Sequence, residues 1–403
     1  MSSTPTSTPW PYVTIALALG AISSFYIGKV PPALPQMREE LNLSLVTAGW
    51  VVSIFNVLGL VIGIGAGFLA DRFGPARLIT AAVLVMAFGS LLGGLADTSP
   101  LLLISRIFEG AGYATILVSA PALIAHMSTA GDRQTAVSLW SSAPPSGITL
   151  GVVIAPLILD PFGWRGLWMA TAFMSLIALV IFYFMVLRNL SPHLPRVQNF
   201  WGDVRSTATR PAPWLLAACF MTYTFQWMVV VVWLPTFLVE ERATTLGLAA
   251  VLTGLVIAIN IPGNILGSWL IHKGTPRWVM LVTGTSVMGS TSFVIFFDHL
   301  PDVLRYGLVL AFSFFGGIQP ASLVSGPTVH SPSPAQIGMT NGFMYAGSHA
   351  GQLLGPPLIA IVVTMMGGWA PTGGVLFMLS GINIVAAFYI WALERKINSL
   401  ANT

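Results

Sequence analysis

The sequence predicts an all-α membrane protein in which twelve transmembrane helices form two pseudo-symmetric six-helix bundles. Three observations lead there: a scarcity of charge, a series of long apolar runs, and a set of motifs repeated some 200 residues apart. Of the 403 residues, 55% are hydrophobic and only 7% are charged, against about 25% charged in a typical soluble domain. Lipid, which needs no polar coat over the core, removes the conflict. The apolar runs are continuous and do not alternate, which excludes an outer-membrane β-barrel.

The spans follow from the runs. A spanning helix needs about 20 apolar residues, and runs of that order lie near 11–32, 46–70, 76–96, 100–127, 133–159 and 164–188. After a polar gap they resume near 213–238, 246–271, 277–297, 302–328, 337–366 and 370–392. The gap holds Pro192, Pro195, Pro211 and Pro213 with Arg196, Arg205 and Arg210, a composition that marks a surface linker. The expected organisation is an N-terminal bundle over 1–188, a cytoplasmic linker over 189–212 and a C-terminal bundle over 213–403.

Charge fixes the orientation. With the N-terminus in the cytoplasm, that side carries Arg72, Arg77, Arg133, Arg188, Arg196, Arg205, Arg210, Lys273, Arg277, Arg395 and Lys396. The opposite side carries Arg38, Arg165, Arg242 and Arg305, and most of the acids, from Glu39 and Glu40 to Asp298 and Asp302. Eleven cations against four obey the positive-inside rule and predict an N-in, C-in protein of the cytoplasmic (inner) membrane. The first residues lack a basic n-region, so the first apolar run is expected to be a retained helix and not a signal peptide. The lone Cys219 allows neither an intrachain disulfide nor a cysteine metal site. No cofactor, metal site or nucleic-acid partner is expected.

The repeat is specific. Gly63, Gly67, Gly74 and Arg77 return as Gly263, Gly267, Gly274 and Arg277. Gly110 and the run LVSAP at 117–121 return as Gly316 and LVSGP at 323–327, and Gly147 and Gly151 return as Gly351 and Gly355. Three helix pairs in the same order imply two bundles related by an axis along the membrane normal, with a site between them. The small-xxx-small spacings, including Gly59–Gly63–Gly67 and Gly347–Gly351–Gly355, mark surfaces of close helix packing.

Residues 67–77, GFLADRFGPAR, resemble the loop signature between the second and third helices of the major facilitator superfamily, and RIFEGAGYA at 106–114 resembles its fourth-helix signature. The resemblance implies that Gly67, Asp71, Arg72, Gly74 and Arg77 form a latch that holds the cytoplasmic side closed. In the second half Ile271 and His272 replace the acid and the first arginine, so the corresponding latch is degraded. The stretches FQWMVVVVWLPTFLVEE at 225–241 and SLWSSAPPSGITLG at 138–151 are similar to the cyanate and nitroimidazole permease branch, which implies a small anion or a small polar heteroaromatic as substrate.

Charges within the spans point to the site, because each is costly there. Arg106 and Glu109 are three apart and share a helix face. They are either a neutralising structural pair or an anion-binding arginine beside a proton-accepting carboxylate. Lys29, near the outer end of the first span, either snorkels to the interface or adds positive charge to the cavity. Around them Tyr26, Asn56 and Trp140 in the first half, and Tyr223, Gln226, Trp227, Asn260, Gln319, Tyr345 and His349 in the second, can supply hydrogen bonds and aromatic walls. Each alone is more often an interhelical contact than a ligand.

The expected activity is secondary active transport by alternating access, with a small-molecule anion as substrate, a co-transported proton carried by Glu109, and the lipid bilayer around a monomer. No nucleophile–base pair or phosphate loop points to an enzyme. Proton-driven efflux of drugs or siderophores is the first alternative, disfavoured because Ala155-Pro156 replaces the Gly-Pro of the superfamily's antiporter signature. A non-transporting membrane sensor is the second, and no long soluble domain is present to signal through.

Overall fold

The computed structural model describes residues 7–61, 74–129, 132, 136, 139–140, 142–189, 200–296, 300–332 and 336–401. Among these every regular element is helical. In chain order they are α1 (Trp10–Gly28), α2 (Val30–Glu40), α3 (Leu45–Ser53, then a 3-10 turn Ile54–Asn56), α4 (Pro75–Gly94), α5 (Ser99–Met127), α6 (Ala143–Met185), α7 (Phe200–Ala208), α8 (Pro211–Arg242) and α9 (Leu246–His272). There follow α10 (Arg277–Ile295), α11 (Asp302–Gly316), α12 (Ile318–Val324), α13 (Pro327–His330), α14 (Ile337–Met366) and α15 (Ala370–Ala401).

Among the described residues ten helices are long and apolar enough to cross a membrane, and a shorter apolar helix, Leu45–Val61, stands where the second span is expected. The 43-residue α6 contains two spans, because the chain breaks at Gly163 with φ 65°, a left-handed conformation that glycine adopts without steric cost. Ten, one and one make the twelve spans of the sequence.

The first span corrects the expected boundary. It does not end near residue 32 but runs on as α2 to Glu40, with a break at Lys29. Pro31 and Pro32 lie in the first turn of α2, where a missing N–H costs least. The prolines therefore interrupt the helix without ending it, and Lys29 falls inside the span, far from its outer end.

Two compact units divide the chain, Met1–Gln198 with Pro235–Gly254, and Asn199–Leu234 with Leu255–Thr403. In the first, α6 packs on α1, α2 and α4, and α5 packs on α4 and α1. Trp164, Trp168, Tyr26 and Phe55 are fully enclosed in its core. In the second, α10 packs on α11, α12 and α15, and Trp233 and Phe312 are among its most deeply enclosed side chains. Outward-facing apolar stripes cover both units: Phe173, Ile177, Val180 and Phe184 on α6, and Met378, Ile382, Val385 and Tyr389 on α15 are all exposed. Their i, i+3, i+4 spacing makes one helix face, and in a membrane protein that face meets lipid.

The sequence repeat is a repeat of contacts. A Cβ added at Gly147 would strike the carbonyl of Ala21, and one at Gly351 the carbonyl of Met221. One turn on, a Cβ at Gly151 would lie 2.8 Å from the Phe25 carbonyl oxygen and one at Gly355 3.0 Å from that of Phe225. Ala21 and Met221, like Phe25 and Phe225, are 200 residues apart. Each half thus seats its fifth span on its first through the same two glycines, which let the backbones touch. Gly74 and Gly274, also 200 apart, share φ 83°.

Polar ties sit at the helix ends. Arg165 pairs with Glu40 and Asp97, Trp164 donates to Glu40 at 2.5 Å, and Arg38 pairs with Glu240 at 2.6 Å. The stretch expected as a linker holds α7, whose Asp203 and Ser206 accept hydrogen bonds from Gln336 at 2.9 and 2.6 Å.

Candidate functional site

The break between α1 and α2 delivers Lys29 into the interior of the first unit, where α4, α5 and α6 converge on it. Its Nζ donates to Glu109 Oε1 at 2.8 Å, to Ser90 Oγ at 2.9 Å and to Thr171 Oγ1 at 2.9 Å. The rings of Tyr26 and Trp168 lie 4.3 and 4.2 Å from the ammonium, within cation–π range. Lys29 is 0% exposed; it does not snorkel.

Arg106, one turn before Glu109 on α5, holds the other carboxylate oxygen through Nη1. Its Nε donates to the Val51 carbonyl at 3.0 Å, and its guanidinium lies over the Phe55 ring at 4.5 Å. Its Nη2 is buried with no hydrogen-bond partner among the described residues. All three charged side chains are fully enclosed. By formal charge, two cations and one anion leave the cluster of described residues one positive charge in excess, in a place where an unmatched charge is expensive. The expected two-residue pair is therefore a triad, with a donor left over.

The remaining first-half candidates divide. The Tyr26 hydroxyl is engaged with the Thr171 carbonyl at 3.0 Å and Ser175 at 2.8 Å, so it braces α1 on α6. Asn56 is buried in the 3-10 turn. Trp140 packs over Gly20, nine residues before Lys29 and so about 13 Å along the helix; it does not join the triad. Of the expected latch, Gly74 has the positive φ its turn requires and Arg77 is exposed, while Gly67, Asp71 and Arg72 lie outside the described residues.

In the second unit the candidates form two hydrogen-bonded groups and an aromatic cluster. Asn260 donates to the Ser313 carbonyl at 2.8 Å and to the Tyr223 hydroxyl at 3.3 Å, and Trp227 donates to Ser313 Oγ at 3.2 Å. Gln319 accepts from Thr285 at 2.9 Å and Asn383 at 3.2 Å, and Gln226 accepts from Ser380 at 3.0 Å. These amides tie helices together. Phe220 lies against both Tyr223 and Tyr345, with centroids 6.1 and 5.7 Å apart. His349 is buried on α14.

Sequence reasoning missed Ser90, Thr171, Trp168 and Phe55, which build the walls around the charges. Small hydroxyls and aromatics are common in spans, and nothing in the sequence links the three separate elements that carry them. Arg277, the counterpart of Arg77, is not idle: it pairs with Glu394 and donates to the Ser322 carbonyl at 2.6 Å and Ser325 Oγ at 3.3 Å. His330 Nε2 lies 3.1 Å from the same Glu394 oxygen. An acid from the end of α15 thus stands against both Arg277 and His330.

Comparison with known proteins agrees with this architecture. The family model of the Major Facilitator Superfamily matches residues 14–333. The "Probable sulfoacetate transporter SauU" of Cupriavidus necator is 24% identical over 381 residues, covering 89% of this chain and 88% of the relative. The hexuronate transporter of Bacillus subtilis is 20% identical over 403 residues, covering 96% and 95%. A crystal structure of a bacterial homologue of the human lysosomal transporter Spinster superposes with a TM-score of 0.74 at 16% identity, over 96% of each chain. With twelve apolar spans, a matched pair of helix-packing glycines in each half and a family match over most of its length, the chain belongs to the Major Facilitator Superfamily and is a multi-pass transporter of the cytoplasmic membrane.

Proposed function

We propose that the chain imports a small organic anion, with Arg106 as the group that binds it and Glu109 as the carrier of a coupled proton. The observation that carries this is the buried Arg106 Nη2, which has no partner among the described residues and belongs to a triad of net charge +1. An anion meeting that donor would gain a charge-assisted hydrogen bond and neutralise the cluster. Glu109 holds both cations, so protonating it would release Arg106 toward a substrate. The names of the two relatives, a sulfoacetate and a hexuronate transporter, support anions as the substrate class. The second unit carries tyrosines and amides where the first carries charge, which supports selection there by hydrogen bonding and aromatic contact. A monomer working by alternating access completes the proposal.

The test is a thermal-shift screen of sulfoacetate, glucuronate and other small anions at two pH values, followed by uptake into proteoliposomes with an inward proton gradient. Binding anions should raise the melting temperature of the wild type and fail to do so in Arg106→Ala, with the variant still folded. An unchanged shift in that variant would sink the proposal, and gradient-driven exclusion of the anion would turn it toward efflux.

A further inference from the structure

We infer that Lys29 is a positioning residue, a fixed counter-charge that holds Glu109 and sets the pH at which the site works, an inference that rests on Arg106 being the anion-binding group. An ammonium has three N–H donors and no acceptor. All three donors of Lys29 are used, by Ser90, Glu109 and Thr171, and the rings of Tyr26 and Trp168 lie against it. An arriving anion would have to displace one of those partners inside a fully enclosed pocket. Arg106 offers a donor with nothing to displace among the described residues. The same carboxylate therefore has one partner saturated in place and one partner with a hand free.

This division lets the site exchange charge. When an anion draws Arg106 away, Glu109 keeps Lys29, so no buried carboxylate is stranded. Among the described residues the titratable and charged groups facing Glu109 are Lys29 from the α1–α2 junction, Arg106 from its own helix and the phenol of Tyr26 from α1. From the other elements packed here, α4 and α6 present the neutral Ser90, Thr171 and Trp168, and α3 and its 3-10 turn present the Val51 carbonyl and the Phe55 ring.

The experiment uses the full chain in proteoliposomes, with two readouts. Infrared difference spectra follow the protonated-carboxyl band that disappears in Glu109→Gln. Sulfoacetate and glucuronate titrations by thermal shift follow anion binding across the same pH range. In Lys29→Gln the band should appear at a pH higher by about one unit or more, since an opposite charge at this range shifts a carboxylate by that amount. The pH profile of uptake should move with it, and the half-saturating anion concentration should stay within about threefold at matched Glu109 protonation. Lys29→Met, which keeps most of the stem, carries the same comparison if Lys29→Gln folds poorly. A loss of affinity of about tenfold or more at every pH with an unmoved band would make Lys29 a direct ligand and overturn the inference. No change in either readout would overturn it too. If Arg106→Ala binds the anions as the wild type does, the anion-site proposal fails by itself, and the infrared titration still judges Lys29.

Discussion

Lys29 and Glu109 meet at 2.8 Å with neither side chain exposed, and Arg106 closes on the second oxygen of the same carboxylate. Removing the shared anion leaves two enclosed cations facing each other. Breaking a buried pair by deleting one member costs about 3–5 kcal/mol, so Glu109→Ala should lose that order of stability. Glu109→Gln keeps an oxygen that accepts from one cation and should lose less. Thermal unfolding of the purified variants in detergent checks the ranking. In vesicles Glu109→Gln should exchange anion by counterflow while no longer accumulating it under a proton gradient. Accumulation equal to the wild type would remove Glu109 from the coupling step.

The packing glycines separate two kinds of glycine requirement. At Gly147 and Gly351 an added Cβ runs into the carbonyls of Ala21 and Met221, and backbone cannot rotate aside as a side chain can. Alanine at either position should cost about 1–3 kcal/mol, the range for overpacking. At Gly163 nothing lies within 4 Å of the added Cβ, and the demand comes from φ 65° with ψ −179°, a strain of about 1–3 kcal/mol for any other residue. Gly147→Ala and Gly351→Ala should respond alike, because they occupy the same place in the repeat. A melting-temperature loss in one and none in the other would show that the equivalence is one of sequence alone.

The same residues explain what could be read in advance. Spans, their order and the repeat were legible because bilayer thickness fixes run length and the helical turn fixes the glycine spacing. The end of the first span was not legible: the apolar run fades near residue 32, yet Pro31 and Pro32 lie in the first turn of a continuing helix, where a proline deletes few bonds. Arg106 and Glu109 could be paired because they share one helix. Lys29 could not be joined to them, because Ser90, Glu109 and Thr171 come from three other helices and sequence distance carries no information about their convergence. The role of Arg277 was hidden for the same reason: its acid, Glu394, lies 117 residues away.

An ion pair of the first unit and one of the second should differ in weight. Arg38 and Glu240 are 26% and 42% exposed, and such pairs contribute about 0–1 kcal/mol. Arg38→Ala should therefore change the melting temperature little, and less still at high salt. Arg277 is only 7% exposed and binds Glu394, Ser322 and Ser325. Arg277→Ala strands buried acceptors and should cost about 2–4 kcal/mol. Equal effects of the two substitutions in matched melts would contradict the difference in burial.

His330 gives this network an acid-side signature. Burial, and then the positive charge of Arg277, push its imidazole down from 6.5 to about 4. The ring is therefore neutral at physiological pH, and beside a carboxylate that can only accept, the proton sits on Nε2, 3.1 Å from Glu394. Between pH 6.5 and about 4 the unfolded chain binds a proton at this residue that the folded chain refuses. Stability follows the difference in bound protons, rising with pH wherever the unfolded state binds more. The contribution of neutral His330 is thus complete above pH 6.5, falls as the pH drops through that window, and changes no further below about 4. His330→Gln keeps a donor for Glu394 and removes the ionisation. Melting temperatures measured from pH 7.5 down to 4.5 should fall less steeply in the variant than in the wild type, and coincide in slope above pH 7. Parallel curves across the acidic window would mean that His330 is protonated as readily in the folded protein as in the unfolded chain.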